Sequence, residues 1–271
     1  MNTSNNFKKN TVKFLQQKKD NKQKISMLTA YDFSFAKIFD AAGIDILLVG
    51  DSAANVMAGF NTTLPITLEQ MIYHGQSVVR GTKKALVVVD LPFGSYQISE
   101  AHAMEQAIKV LKETNCEAIK LEGGLSVVPL IKKMIAAGIA VMGHVGLTPQ
   151  SIHQIGSFGV QAKDDKNAKQ LIQDVLELQE AGCFAIVVEK IPAKLAAEIS
   201  QITKIPIIGI GAGAECDGQV LVMHDMLGMN TEFNPKFVRK FIDLTSLITS
   251  VTVQYKEAIE KGSFPNADES Y

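Results

Sequence analysis

Eight short, apolar, β-rich runs recur along the 271 residues, and helical patterns lie between most of them. The runs are Ile25–Ala30, Ile46–Gly50, Ala85–Asp90, Ala118–Glu122, Ala140–His144, Ala185–Glu189, Pro206–Gly209 and Gln219–His224. Several, such as DILLVG, ALVVVD, FAIVVE and IPIIGI, are continuously apolar rather than alternating. A strand of that kind is buried on both faces, as in a parallel sheet. Helical patterns fall at Phe33–Ala42, Leu68–Gly81, Glu100–Thr114, Val127–Ala137, Lys166–Ala181 and Pro192–Thr203. Helices stop at Gly43, Gly138 and Gly182, the residue type that takes the left-handed cap most readily. Eight strands with intervening helices predict an α/β fold, a (β/α)₈ TIM barrel with a parallel eight-stranded barrel and outer helices.

No linker or repeat divides the chain, so one barrel domain over 1–271 is expected. Residues 1–24 would form an N-terminal helical extension, Asn234–Gly262 one or two closing helices, and 263–271 an extended tail. Formal net charge is −1, which gives no electrostatic case for binding nucleic acid. Cys116, Cys183 and Cys216 are far apart and show no CxxC spacing, which fits a reducing compartment. The opening MNTSNNFKKNTVKFLQQKKDNKQK lacks an apolar h-region and lacks arginine, and no run of about 18 apolar residues occurs. A cytoplasmic protein with no membrane partner is expected.

The polar residues fall at one place in this pattern. The second to sixth runs end in Asp51, Asp90, Lys120 with Glu122, His144 and Glu189. In a barrel, C-terminal strand ends converge on one mouth, where catalytic groups are drawn from several strands. Each residue also has a plain structural reading. Asp51 could cap a helix, and Asp90 could close a strand before Leu-Pro. Lys120 and Glu122 could form an outward ion pair. His144 could be a satisfied core histidine, and Glu189 could pair with Lys190. Together those readings require five strands to end in chargeable groups by coincidence, so a site is favoured.

Three carboxylates without cysteine or clustered histidine form a hard oxygen site, suited to Mg²⁺ or Mn²⁺. Such an ion would take two oxygens of a 2-oxo acid and favour its enolate, with a lysine beside the developing charge. Other motifs carry less. GIGAG at Gly209–Gly213 lacks the following helix that a dinucleotide fingerprint needs; a tight turn is the plainer reading, and a barrel phosphate loop stays open. His224-Asp225 reads as structural. Ser52 has no GxSxG around it, and its hydroxyl suits a substrate carboxylate or a metal-bound water.

The blocks LTAYDFSFAKIFDAAGIDILLVGDS, TLPITLEQMIYH, VDLPFGSY, AIKLEGG, GHVGLTPQS and IPIIGIGAGAECDGQVLVMHDMLG resemble the ketopantoate hydroxymethyltransferase family, from about Ser26 to Phe264. The resemblance implies a barrel of the phosphoenolpyruvate/pyruvate superfamily, assembled as a homodecamer from five dimers. It implies transfer of a hydroxymethyl group from 5,10-methylenetetrahydrofolate to 3-methyl-2-oxobutanoate, giving 2-dehydropantoate for pantothenate. It implies one Mg²⁺ held by Asp51, Asp90 and Glu122, with the 2-oxo acid contacted by Asp51, Ser52, Asp90 and Lys120. It makes Glu189 the catalytic proton acceptor and His144 a substrate-pocket residue. The sequence departs from the family pattern in VGDSAANVMAG, in SFGVQAK and at Lys190, none of which removes a ligand or the base. Three alternatives remain beside this reading: another metal-dependent 2-oxo acid lyase or aldolase of the same superfamily, a metal-free aldolase with Lys120 as Schiff-base former, and a catalytically silent scaffold.

Overall fold

The structure, a computed structural model, describes residues 8–231 and 234–271. It contains a closed barrel of eight parallel strands in sequence order. The strands are β1 (Ile25–Thr29), β2 (Ile46–Val49), β3 (Leu86–Asp90), β4 (Ala118–Glu122), β5 (Val141–Gly146), β6 (Ala185–Glu189), β7 (Ile207–Ile210) and β8 (Gly218–Leu221). Each pairs with the next, and β8 pairs back to β1. The expected (β/α)₈ architecture is therefore what the chain adopts. Continuous apolar strands are required here because one face meets the barrel interior and the other meets the outer helices.

Two compact units are distinguishable, Met1–Val222 and Met223–Tyr271. The first holds the whole barrel. At its N-terminal end lies the helix Val12–Asp20, capped by the Thr11 hydroxyl. Its Leu15 is fully buried and belongs to the cluster that fills the barrel with Ile46, Leu86, Val88, Met142, Val187 and Ile208. Lys18 pairs with Asp45 at 2.6 Å and Lys19 with Asp217 at 2.7 Å, so the helix is pinned at both sides. The first seven residues of the expected extension lie outside the described residues.

Differences from the sequence reading concern ends of elements. The last strand stops at Leu221, where its pairing with β1 runs out at Leu28; His224 sits instead in a short helix, Met223–Met226. In the second unit, one helix, Leu244–Glu260, is capped by Asp243, whose carboxylate accepts from the Ser246 backbone N–H at 3.1 Å. Residues 263–271, expected to be extended, contain a 3₁₀ turn at Ala267–Glu269. Asn266 and Glu269 form a capping box there and satisfy the free N–H groups locally.

Candidate active site

Side chains two apart on a strand share a face. On β3, Leu86 and Val88 lie in the barrel-filling cluster, so Asp90 points the same way. On β4, Ala118 sets the parity for Lys120 and Glu122; on β5, Met142 sets it for His144; on β6, Ala185 and Val187 set it for Glu189. Lower layers are thus apolar, and the uppermost layer is ionisable. Asp90, Lys120, Glu122 and His144 are each 2–5% exposed, which rules out an outward Lys120–Glu122 surface pair.

The strand register then decides who meets whom. Asp90 is the register partner of Lys120 across β3 and β4, and Glu122 that of His144 across β4 and β5. Accordingly, Lys120 Nζ lies 2.8 Å from Asp90 Oδ1, and His144 Nδ1 lies 3.3 Å from Glu122 Oε1. The other imidazole nitrogen, Nε2, is 3.3 Å from Glu189 Oε2. His144 is therefore flanked by two carboxylates. Burial and the Lys120 charge push its pKa down, but Glu122 and Glu189 outweigh them and raise it to about 9. Glu189 is the more open end of this row, with its side chain 16% exposed.

Asp51 stands just past β2. The chain turns there through Gly50, where a Cβ would come within 2.7 Å of Ser52 Oγ. The Asp51 backbone N–H donates to Asp90 Oδ2 at 3.1 Å. Burial first, then the charges of Glu122 and Asp90, lift the Asp51 pKa to about 7. The Ser52 hydroxyl pairs with the Tyr31 hydroxyl at 2.9 Å. Lys120 is desolvated, which alone would lower its pKa, yet Asp90, Glu122 and Asp51 bring it to about 12. A lysine held as ammonium is not a nucleophile, and this weighs against the Schiff-base alternative.

Among the described residues, no three His, Cys, Asp or Glu side chains are disposed to close on one ion by themselves. The donor chemistry nevertheless fits a hard divalent cation. Asp90 Oδ1 and Glu122 Oε1 are buried oxygens whose close partners are the Lys120 ammonium and the His144 ring, which leaves lone pairs for an ion. Three buried carboxylates share one lysine, and the Asp51 pKa is lifted by burial first and then by the charges of Glu122 and Asp90, which a cation would offset. Magnesium ordinarily completes its shell with water and substrate oxygens, so a full protein cage is not needed.

Three polar residues near these groups escaped the sequence reading: Tyr31, Tyr96 and Gln150. None is charged at neutral pH, so a search for ionisable strand ends passes over them. Gln150 lies in a 3₁₀ turn after β5, Pro149–Ser151, and its amide donates to Asp51 Oδ2 at 2.9 Å. A cavity of about 540 Å³ opens beside Glu122, with Phe93, Tyr96, Gln97, Gln150 and His153 in its lining.

Two of the three departures from the family pattern, SFGVQAK and Lys190, meet each other. Lys190 has a left-handed backbone, φ 48°, and its Nζ donates to the Phe158 carbonyl. The Gln161 N–H in turn donates to the Lys190 carbonyl at 2.7 Å. Lys190 thus anchors the 157–163 loop. The Glu189 carboxylate points instead to His144. The GIGAG segment leads through a turn into β8 rather than into a helix, with Gly211 and Gly213 at positive φ. Dinucleotide binding of the Rossmann type is thereby excluded for it.

A family model described as ketopantoate hydroxymethyltransferase matches residues 9–267. This chain belongs to the ketopantoate hydroxymethyltransferase family. A Phocaeicola vulgatus protein named 3-methyl-2-oxobutanoate hydroxymethyltransferase is 56% identical over 99% of this chain and 98% of its own. A Flavobacterium johnsoniae protein of the same name is 55% identical over 98% and 97%. Among solved structures, phosphonopyruvate hydrolase in complex with oxalate and Mg²⁺ aligns with a TM-score of 0.61 at 11% identity, over 96% of this chain and 93% of that one. A phosphoenolpyruvate phosphomutase from Streptomyces platensis subsp. rosaceus aligns with a TM-score of 0.62 at 13% identity, over 93% and 88%. At such identities the structural likeness concerns the fold. Membership of the hydroxymethyltransferase family makes the chain an enzyme rather than a silent scaffold. No helix among the described residues is long and apolar enough to cross a membrane.

Proposed function

We propose that this ketopantoate hydroxymethyltransferase family member transfers a hydroxymethyl group from 5,10-methylenetetrahydrofolate to 3-methyl-2-oxobutanoate. The observation that carries the reading is the row of buried groups running Asp90, Lys120, Glu122, His144 and Glu189, one charged layer above an apolar barrel. Asp51, Asp90 and Glu122 would hold Mg²⁺. When bound, the ion would supply a Lewis acid for the 2-oxo acid's carbonyl.

The chain's own groups then have distinct tasks. Glu189, the exposed end of the row, accepts the proton from C3 of the acid. His144, held between Glu122 and Glu189, fixes the Glu189 carboxylate and keeps a positive charge beside it. The Lys120 ammonium, anchored on Asp90, faces the oxygen on which negative charge develops. C3 then bonds to the donor's methylene carbon as the first of that carbon's two bonds to nitrogen breaks; a water displaces the second nitrogen and supplies the hydroxyl, and the two nitrogens take up the protons given up by C3 and by the water. The cavity beside Glu122 has room for the donor above the small acid. The homodecameric assembly and cytoplasmic location belong to the same proposal; the first rests on the family resemblance, the second on three cysteines that remain free thiols.

The test separates enolisation from transfer. Exchange of the C3 proton of 3-methyl-2-oxobutanoate for deuterium, followed by NMR without folate, should require Mg²⁺ and stop with EDTA. Glu189→Gln should slow it by about 100-fold or more, the contribution of a positioned base. Full exchange in EDTA, or in Glu189→Gln, would overturn the corresponding assignment.

A further inference from the structure

Gln150 holds two of the three carboxylates at once. Its backbone N–H donates to Glu122 Oε2 at 3.0 Å, and its side-chain amide donates to Asp51 Oδ2 at 2.9 Å. Those two acids come from different strands, β4 and the end of β2, and no hydrogen bond between their side chains joins them. The residue is only 6% exposed.

Its amide has one workable orientation. Nε2 has two acceptors, Asp51 Oδ2 and the Leu91 carbonyl at 3.0 Å. Oε1 has two donors, the Tyr96 hydroxyl at 2.7 Å and Gln97 Nε2 at 3.3 Å. Both N–H groups and both lone pairs are therefore used. A flipped amide would set its oxygen against the Asp51 carboxylate and its N–H₂ against Gln97 Nε2. Tyr96 also receives the Glu122 backbone N–H at 3.2 Å. A closed circuit results: Glu122 N–H to Tyr96, Tyr96 O–H to Gln150, and Gln150 N–H back to the Glu122 carboxylate. One branch leaves it, from the Gln150 amide to Asp51. Buried networks with every member satisfied hold one geometry, whereas partly satisfied ones do not.

We propose that Gln150, oriented by Tyr96, is the positioning residue that sets the spacing of Asp51 and Glu122 for a divalent cation. The inference rests on the metal-assisted reading above. Gln150 acts on the ion through the carboxylates, not as a ligand. Hydrogen-bond partners of metal ligands typically govern affinity by 10- to 100-fold.

The experiment is a Mn²⁺ titration of the metal-free full-length protein, read by EPR and calorimetry without substrate. Variants are Gln150→Leu and Tyr96→Phe. Gln150→Leu removes the amide but keeps the backbone donor to Glu122, so of the two carboxylates only Asp51 is released. The expected result is Mn²⁺ binding weakened by about 10- to 100-fold in Gln150→Leu, and a smaller loss in Tyr96→Phe. The Mn²⁺ EPR line shape should also change, and KM for the 2-oxo acid should rise more than the KM for folate. Should Gln150→Leu fail to fold, Tyr96→Phe alone decides, since loss of one hydroxyl leaves the ring in place. Unchanged Mn²⁺ affinity in the folded variants overturns the inference and leaves the proposed function standing. A wild-type protein that binds no Mn²⁺ overturns the metal-assisted reading and this inference together.

Discussion

At the scale of single residues, the buried Lys120–Asp90 pair is the most consequential contact of the mouth. Both side chains are at most 5% exposed. Removal of one partner of such a pair leaves a charge in a poorly solvated place, at a cost of about 3–5 kcal/mol. Lys120→Met should therefore lose stability of that order in urea unfolding of the metal-free protein at neutral pH. A loss below about 1 kcal/mol would mean that Asp90 finds another partner or a proton. Borohydride treatment with the 2-oxo acid should leave no adduct on Lys120, because its pKa near 12 keeps the nitrogen protonated; a mass increase there would revive the Schiff-base mechanism. Asp51, Asp90, Lys120, Glu122, His144 and Glu189 were visible in the sequence because each breaks an apolar run at its end. The Ser52–Tyr31 pair and the Gln150 network were not. Hydrogen-bond partners depend on where loops return in space, and a neutral side chain in a loop leaves no periodic signal.

At the scale of elements, the two ends of the barrel have separate tasks. The helix Val12–Asp20 closes the lower end through Leu15. Leu15→Ala should cost about 2–5 kcal/mol, as large-to-small changes in a packed core do, while kcat stays within about twofold. A fall in kcat at full occupancy of the folded state would show that the lower end reaches the mouth. Gly146 at the tip of β5 is the opposite case. It has φ +92°, and a Cβ there would collide with the Glu189 carbonyl. Gly146→Ala should cost about 1–3 kcal/mol in backbone strain and lower kcat besides, by moving the base; calorimetry and steady-state kinetics together check this. The strand positions were legible because burial on both faces writes an uninterrupted apolar run. Their ends were less so. Where β8 stops depends on the length of its neighbour β1, and where the C-terminal turn forms depends on a cap at Asn266.

At the scale of the whole molecule, the thiols report on integrity. Cys116, Cys183 and Cys216 are free and buried, and burial pushes Cys116 up to about 11 and Cys183 up to about 12. At pH 8 the native protein should release no thionitrobenzoate from Ellman's reagent on a scale of minutes, and three equivalents once denatured. Rapid reaction of any thiol in the native state would reveal an opening of the barrel wall. The register of β3, β4 and β5 has a further consequence. Asp90 meets Lys120, and Glu122 meets His144, only because those residues are ladder partners. A slip of one residue in β4 would turn Lys120 and Glu122 outward together. No half-built version of the mouth can therefore work, and recovery of turnover during refolding becomes a clock for correct strand pairing. A spectroscopic signal for helix would return earlier, so the delay between the two would time the moment at which the barrel locks.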